Sequence, residues 1–329
     1  MTSDSVIRPV IRALTPPPSD AEAEAWRTVL ADALAADLPQ LPAPSRGEVA
    51  GRLRVRPARG HAALWAAEDG VAGLLLFTDE ENLHTAFLDV LTVRPRARRQ
   101  GLGTALWQRV REELLTRGRT SVSAQIDLGG PGQAFAESLG FTNVLSMAWY
   151  VQDVPEARRA LPVREAAAPP GYELVCWPGL VPDAWAAAAA RAHCAMDDAP
   201  AGDIDVQALA WTPDRLHASQ QLILDRGGAL TTVAAVTPEG EVAAYTELVL
   251  PDPDGPRAIQ YDTVVLPGHR GLGLGRTVKL RMLAETADRH PALRAVATTV
   301  ADENAPMRAV NEALGYRRER GTALFQLTL

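Results

Sequence analysis

Two stretches of this chain carry arginine and glycine at the same spacing. Residues 93–103 read VRPRARRQGLG and residues 265–275 read VLPGHRGLGLG, so both fit the pattern V-x-P-x-x-R-x-x-G-x-G. Glycines let backbone N–H groups approach an anion closely, and an arginine adds charge-assisted hydrogen bonds to it. Where such a turn leads into a helix, the unpaired N–H groups of the first helical turn also favour negative charge. The repeated pattern therefore predicts an anion site, most naturally for a phosphate group, in each half of the chain.

Two other phosphate-binding patterns do not fit these turns. A P-loop requires G-x-x-x-x-G-K-[ST], but Arg270 stands in place of its first glycine and Arg276 in place of its lysine. A dinucleotide-binding fingerprint requires a third glycine, and Leu106 and Arg276 occupy those positions. The spacing therefore excludes both classes of nucleotide site.

Each turn follows a predicted strand and precedes a predicted helix. The apolar runs at 85–93 and 258–266 are typical of strands, and the helix after the first turn carries an apolar stripe at Leu102, Leu106, Val110 and Leu114. Further elements of the second half are predicted as helices at 183–195, 212–226 and 304–314, a hairpin of 231–237 with 241–250, and strands at 293–300 and 316–329.

The repeat also predicts the domain organisation. A second pair of related segments, SLGF at 138–141 and ALGY at 313–316, follows the turns at nearly the same displacement. With 329 residues the chain is about twice the usual length of one domain. Residues 153–170 are rich in proline, alanine and charge, which is typical of a linker. We therefore expect one module at 1–152 and another at 171–329.

Composition excludes several classes of function. The chain has 33 basic and 40 acidic residues and no basic run, so nucleic acid is not an expected partner. Two cysteines and the absence of clustered His and Cys spacing argue against a disulfide framework or a metal site. No apolar stretch is long enough to span a membrane, so we expect a cytoplasmic protein that is a monomer or a homodimer.

The glycine-rich turns resemble the R/Q-x-x-G-x-G/A signature of the GNAT superfamily of acyl-CoA-dependent N-acyltransferases. The resemblance covers nearly the whole chain, and the tandem arrangement is similar to that of mycothiol synthase. It implies an α/β (α+β) fold of two tandem modules, each a mixed, mostly antiparallel twisted sheet flanked by helices. It also implies an acetyltransferase that uses acetyl-CoA as cosubstrate, without a metal, and transfers acetyl to an amine by direct attack in a ternary complex.

By this resemblance the pyrophosphate of coenzyme A binds the turn, and the pantetheine arm lies between two splayed strands. The implied residues of the second half are Val264, Val265, Arg270, Gly271, Leu272, Gly273, Leu274, Gly275, Arg276 and Asn304. Those of the first half are Val93, Arg98, Gly101, Gly103 and Thr104. Because Gly129 stands in the first half where the second has Asn304, we expect the second module to be catalytic and the first to be structural or a degenerate cofactor binder.

Catalytic candidates come from the family pattern and from the strands beside the turn. Many members of the family place a general-acid tyrosine where this chain has Asn311 and Ala136, so Asn311 is the candidate at that position. Transfer to an amine also needs a base, and Glu247 and Asp262 lie within otherwise apolar strands. The alternative is that each carboxylate faces solvent from a half-exposed strand. Asp89 is the comparable residue of the first half.

Other polar and aromatic residues are better explained by packing. His193 and Cys194 are adjacent on a predicted helix, where neighbouring side chains diverge, so they do not form a nucleophilic pair easily. The tryptophans, Trp211 included, are predicted to lie in the core or at an interface.

The acceptor is predicted from the acidic stretch 196–205, which contains Asp197 and Asp198 and no basic residue. Such a cluster attracts cations, so we expect a small cationic amine as substrate. The alternative is a solvated acidic loop with a helix-capping aspartate. A competing hypothesis for the whole chain is a non-catalytic acyl-CoA-binding or regulatory protein that has kept the turns and lost the chemistry.

Overall fold

The computed structural model describes residues 10–161, 167–198, 200 and 202–329, with the side chains of residues 197, 198 and 287 outside the description. The chain divides into two compact units. The first comprises the described residues up to Gln125 together with Gln326–Leu329, and the second comprises the described residues of Ile126–Phe325. Each unit combines a mixed sheet with flanking helices, which confirms the predicted fold class.

The first unit orders its strands β1-β2-β3-β4-β5, with the last pair parallel and the others antiparallel. Its strands are β1 (Arg12–Ala13), β2 (Gly60–Ala67), β3 (Gly70–Phe77), β4 (Ala86–Val93) and β5 (Ser121–Asp127). Its helices are α1 (Asp20–Asp37), α2 (Arg46–Arg54) and α3 (Leu102–Thr116).

Helix α1 shows how local sequence fixes an element of the first unit. Ser19 caps the helix by accepting a hydrogen bond from the Glu22 N–H, and the Glu22 carboxylate accepts one from the Ser19 N–H, which makes a capping box. Trp26 and Val29 lie one turn apart on the buried face of the helix. This packing places Asp37, the last residue of α1, near the first glycine-rich turn.

The second unit orders its strands β12-β6-β11-β10-β9-β8-β7, and only β10 and β11 are parallel among the neighbours whose registers are described. Its strands are β6 (Thr142–Asp153), β7 (Glu173–Pro178), β8 (Ala229–Val236), β9 (Val242–Leu250), β10 (Arg257–Val265), β11 (Ala295–Ala301) and β12 (Tyr316–Thr328). Its helices are α4 (Pro131–Ser138), α5 (Val154–Ala160), α6 (Asp183–His193), α7 (Pro213–Asp225), α8 (Leu274–Arg289) and α9 (Ala305–Ala313).

Helices cover both faces of this sheet. On one face α8 packs against β8, β9 and β10, and its Val278 and Met282 are buried with Leu248 of β9. On the other face α6 and α7 enclose a second cluster that contains Tyr245 of β9 and Val264 of β10. Successive residues of a strand point to opposite faces. Strands β9 and β10 therefore contribute side chains to two separate hydrophobic clusters, one on each face of the sheet.

Most elements form where the sequence predicts them, but the division of the chain differs. The predicted linker contains α5, and residues 162–166 lie outside the described part of the chain. Helix α4 and strand β6 belong to the second unit, although the repeat assigns them to the first half. The reason is that β6 pairs with β11 over an unbroken register from Asp153↔Ala295 to Met147↔Ala301.

Candidate functional site

The second glycine-rich turn joins β10 to α8 through exposed backbone. Gly271 and Gly273 have φ values of 81° and 79°, in the left-handed region that glycine tolerates. A Cβ at either position would meet no heavy atom within 4 Å. The first helical bond runs from the Thr277 N–H to the Gly273 carbonyl at 3.0 Å, so the amides of residues 274–276 have no acceptor within the helix. The turn therefore presents N–H donors that suit a phosphate group.

The gap beside this turn comes from strands that separate. β10 pairs with β11 from Arg257↔Ala295 to Ile259↔Ala297, and no further pair joins these two strands in the described chain. A bulge lies just beyond, where residues 261–262 of β10 stand opposite Glu247 of β9. The two parallel strands consequently diverge towards their carboxyl ends, which is the side of the turn.

The arginine of each turn holds the turn against its own strand. Arg270 Nε donates to the Val265 carbonyl at 3.1 Å, and Arg98 Nε donates to the Val93 carbonyl at 3.0 Å. In the first unit, however, the two terminal nitrogens of Arg98 also bind both oxygens of Asp37 at 2.7 Å. That carboxylate already neutralises the charge that a phosphate would need.

Backbone conformation also distinguishes the two turns. Arg99 of the first unit has a φ of 61°, the left-handed value that Gly271 adopts at the matching position of the second. A non-glycine residue with this conformation carries strain of about 1–2 kcal/mol. Gly101, with a φ of 85°, matches Gly273. The first turn thus keeps the shape of the second, with a bulky side chain in place of one glycine.

The other predicted cofactor residues occupy different environments. Val264 and Leu274 are buried, whereas Leu272 is 51% exposed at the turn. Asn304 caps α9, because its Oδ1 accepts a hydrogen bond from the Met307 N–H at 3.2 Å. This contact uses the oxygen of the Asn304 amide and not its nitrogen. Of the remaining predicted positions, Gly275 is buried and Arg276, Gly101 and Thr104 are exposed.

Glu247 is buried beneath α6 and α7, so the solvent-facing alternative is wrong for this residue. Its side chain is 8% exposed, and its Oε1 accepts hydrogen bonds from Gln220 Nε2 at 2.9 Å and Thr232 Oγ1 at 3.4 Å. Gln220 is oriented in turn, because its Oε1 accepts the Val181 N–H at 3.0 Å. Burial raises the pKa of Glu247, Asp262 raises it further, and His193 and the two hydrogen bonds lower it.

His193 lies between the two predicted bases. Its Nε2 is 3.9 Å from Glu247 Oε1 and its Nδ1 is 3.6 Å from Asp262 Oδ2. The imidazole ring packs between Trp211 and Tyr245, with centroids 4.6 and 4.3 Å away. We call His193, Glu247 and Asp262 the acidic triad. The Asp262 side chain is 35% exposed, which makes it the accessible member of the triad.

The triad places two carboxylates around one imidazole. A neutral imidazole offers one N–H and one lone pair, so it can donate to only one of two facing carboxylates. The other carboxylate then faces the lone pair of the second ring nitrogen. Burial and the charge of Asp262 both raise the pKa of Glu247. The hydroxyl of Tyr245 and Nδ1 of His193 have no hydrogen-bond partner among the described residues.

A second polar cluster lies on the opposite face of the sheet. Asn311 is fully buried, and its Oδ1 accepts a hydrogen bond from Lys279 Nζ at 2.6 Å. Lys279 Nζ also lies 4.6 Å from the ring centroid of Tyr316, whose hydroxyl donates to Gln260 Oε1 at 2.5 Å. Burial lowers the pKa of Lys279 to about 7. Burial also raises the pKa of Tyr316.

Because the lysine is less basic in the folded protein, its titration is coupled to stability. Between pH 7 and its ordinary pKa near 10.5, the unfolded chain binds the proton that the folded chain has lost, so stability rises with pH. From pH 7 to pH 9 the unfolding free energy of the wild type should increase by about 2 kcal/mol relative to Lys279→Met. Urea titrations of both proteins at the two pH values measure this difference. Parallel pH profiles would mean that Lys279 does not titrate near neutrality.

Sequence reasoning missed His193 and Lys279. The sequence relates His193 to its neighbour Cys194, whereas the imidazole of His193 faces Glu247 and Asp262, on strands far along the chain. The side chains of Asp197 and Asp198 lie outside the described residues, but the short helix Cys194–Asp198 packs beside β10. Within the described residues, no group of three His, Cys, Asp or Glu side chains has the geometry of a metal site. No described helix has the length and apolarity needed to cross a membrane.

Comparison with known proteins gives matches over both halves of the chain. The sequence model of the acetyltransferase (GNAT) family matches residues 21–141 and 203–316. A tandem GNAT protein from the clavulanic acid biosynthesis pathway, solved without acetyl-CoA, is 26% identical over 97% of this chain and 98% of its own, with a TM-score of 0.82. A GCN5-related N-acetyltransferase from Sphaerobacter thermophilus is 18% identical over 97% and 95%, with a TM-score of 0.69. A search of the curated proteins gives no match.

Proposed function

Because the chain belongs to the acetyltransferase (GNAT) family, we propose that its second unit transfers an acetyl group from acetyl-CoA to the amine of a small cationic molecule. The observation that carries this proposal is the acidic triad, whose accessible carboxylate lies in the bulge of β10 beside the strand gap and the glycine-rich turn. Strand β10 and the turn that follows it thus combine a candidate base, one edge of the gap in which a thioester could lie, and an anion site.

The residues of the second unit fit acetyl-CoA. Its pyrophosphate would accept hydrogen bonds from the amides of Gly271, Gly273 and residues 274–276, with Arg276 exposed at the same helix start. The cosubstrate supplies the activated acyl group, and the gap between β10 and β11 offers unpaired strand edges to a chain with amide groups. The first unit fits less well because the bulky Arg99 stands where the second turn has Gly271. We therefore propose one productive site per chain.

The triad would supply the base. An ammonium group arriving at the site pairs with the exposed Asp262 carboxylate, which can then accept its proton. The imidazole Nδ1 of His193 lies 3.6 Å behind Asp262 Oδ2, and Glu247 Oε1 lies 3.9 Å from the other ring nitrogen. An N–H on the ring nitrogen that faces Asp262 would favour the ionised carboxylate. A neutral amine is thereby left to attack, in a ternary complex and without a covalent enzyme intermediate.

Charge and aromatic surface support a cationic acceptor. The triad contributes two carboxylates, and the face of Trp211 lies against His193 within the same cluster. Carboxylates raise the local concentration of cations, and aromatic faces attract ammonium groups. Asp197 and Asp198, which the sequence suggests as acceptor residues, belong to the short helix that packs beside β10. Amino sugars and basic amino acid derivatives have the required chemistry.

Thiol release is the direct test. The purified chain is incubated with acetyl-CoA and a panel of primary amines of positive, neutral and negative overall charge, and free thiol is measured. We expect turnover with cationic amines, a KM that rises with ionic strength, and no turnover with the same amines already N-acetylated. Binding of acetyl-CoA without thiol release from any amine would instead support the non-catalytic alternative, which the asparagine at position 311 favours.

A further inference from the structure

Lys279 is the only lysine of the chain, and it is almost completely buried. The other 32 of the 33 lysine and arginine residues are arginine. Unlike a guanidinium group, the amine of Lys279, which is 4% exposed, can lose its proton inside a protein. Burying an amine without a carboxylate partner costs stability, so packing alone would favour an apolar residue here. A titratable amine at this buried position therefore suggests a functional role for Lys279.

The surroundings of Lys279 combine neutral polar groups with apolar side chains. Asn311 of α9 accepts its hydrogen bond, and Tyr316 of β12 presents its ring face to it. Lys279 also lines a cavity of about 10 Å³, about the space that one water molecule needs. The other lining residues are Gln152, Gln260, Thr286, Tyr316, Leu248, Met282, Leu283 and Val296. Among the described groups facing the amine, Tyr316 is the titratable one, and its raised pKa keeps it protonated. Burial is accordingly the cause of the lowered pKa of Lys279.

This cluster lies where the gap between β10 and β11 begins. Ile259 is the last residue of β10 that pairs with β11, and the next residue, Gln260, lines the cavity and accepts the Tyr316 hydroxyl. Asn311 Nδ2 has no hydrogen-bond partner among the described residues, although it is fully buried. One unused donor, Asn311 Nδ2, thus belongs to the side chain that holds the amine of Lys279.

The acidic triad lies on the other face of the sheet, and two of its members belong to β9 and β10. Glu247 and Tyr245 of β9 belong to the side covered by α6 and α7. Leu248, the next residue of β9 after Glu247, lines the cavity beside Lys279 on the side covered by α8. A thioester in the gap would therefore have carboxylates on one side and the amine of Lys279 on the other.

We propose that Lys279 is the proton donor to the thiolate that leaves when the thioester is cleaved, through the cavity that its amine lines. The inference rests on the proposed acetyl transfer. Asp262, whose side chain is 35% exposed, has by then passed the proton of the ammonium group to solvent. As the C–N bond forms and the C–S bond breaks, Asp262 accepts the second proton that the nitrogen loses, and Lys279 donates the proton that the sulfur gains. Each group returns to its starting state by exchange with solvent. A donor with a pKa near neutrality is well matched to this task.

The test separates binding from turnover. Coenzyme A is bound to the wild type, to Lys279→Met and to Thr286→Val, a control that alters another residue of the same cavity wall. The pH at which the bound thiol ionises is followed by the ultraviolet absorbance of the thiolate. A protonated amine nearby stabilises the thiolate, and the thiolate in turn keeps the amine protonated, so the two groups titrate as a coupled pair. Thiolate absorbance should therefore begin to appear at a lower pH in the wild type and in Thr286→Val than in Lys279→Met.

Turnover supplies the second measurement. Lys279→Met should lower kcat by about 100-fold with little change in the KM for acetyl-CoA, and its kcat should lose the decline that the wild type shows as pH rises through about 7. A kcat within about threefold of the wild type, or a loss of kcat with unchanged thiol ionisation, would overturn the proposal. The thiol titration needs no acceptor, so it tests Lys279 even if no amine proves to be a substrate.

Discussion

Asp262→Asn is expected to lower kcat by about 100-fold or more at saturating acetyl-CoA, because a positioned base contributes about 10²–10⁴-fold to rate. The amide has nearly the same size as the carboxylate and cannot accept the proton of the amine. Since the Asp262 side chain is 35% exposed, the change should leave the fold intact. Steady-state kinetics with a cationic amine, together with calorimetric binding of acetyl-CoA, separate the loss of kcat from any loss of affinity.

The first unit offers a matched control for this variant. Asp89 occupies the bulge of β4, opposite the step from Gly73 to Leu74, as Asp262 occupies the bulge of β10. It forms an ion pair with Arg52 and is not part of the triad. Asp89→Asn should therefore retain the kcat of the wild type. Equal losses in the two variants, or full activity of Asp262→Asn, would remove the triad from the mechanism.

Glu247→Gln distinguishes the roles within the triad. Glu247 is buried, so we assign it to positioning His193 and sharing its proton rather than to direct contact with the amine. Because the pKa of Glu247 is raised in the folded protein, its ionisation at neutral pH costs stability. The glutamine variant should then be at least as stable as the wild type at neutral pH, while its loss of kcat should be smaller than that of Asp262→Asn.

The turn and its flanking elements could be predicted because their signal is local. The strand, the glycines and the apolar stripe that begins at Leu102 lie within some thirty residues in each half, and their repetition strengthens the pattern. The parallel pairing of β10 with β11 and the bulge between them carry no comparable local signal. They become visible only when the register of the folded strands is known.

The parts that sequence reasoning missed depend on tertiary contacts. His193 approaches Glu247 and Asp262 only because α6 packs across β9 and β10. Strand β6 joins the contacts of the second unit for a similar reason, since it pairs with β11 more than 140 residues later in the chain. Lys279 occurs on a helix whose other residues match an ordinary apolar and polar pattern. The spacing of apolar and polar residues along this helix therefore does not predict that Lys279 is buried beside Asn311.

Gly273→Val is expected to weaken binding of acetyl-CoA by about 10- to 100-fold. Gly273 has a φ of 79° and open space where a Cβ would point, so a valine side chain would project over the exposed amides at the start of α8. Loss of even one or two charge-assisted hydrogen bonds to phosphate, at about 1.5–3 kcal/mol each, accounts for a change of this size. Isothermal titration calorimetry gives both the affinity and the number of sites per chain.

Gly101→Val controls for backbone strain, because Gly101 has a φ of 85° and its Cβ would also meet no heavy atom within 4 Å. Both variants should lose a similar free energy of unfolding, since valine is disfavoured at positive φ in each turn. Only Gly273→Val should lose acetyl-CoA, because in the first turn the side chain of Arg99 stands where the second turn has Gly271. A larger loss of binding in Gly101→Val would place the cosubstrate on the first turn. Two equal sites in the wild type would show that the first turn also binds a phosphate group despite Arg99.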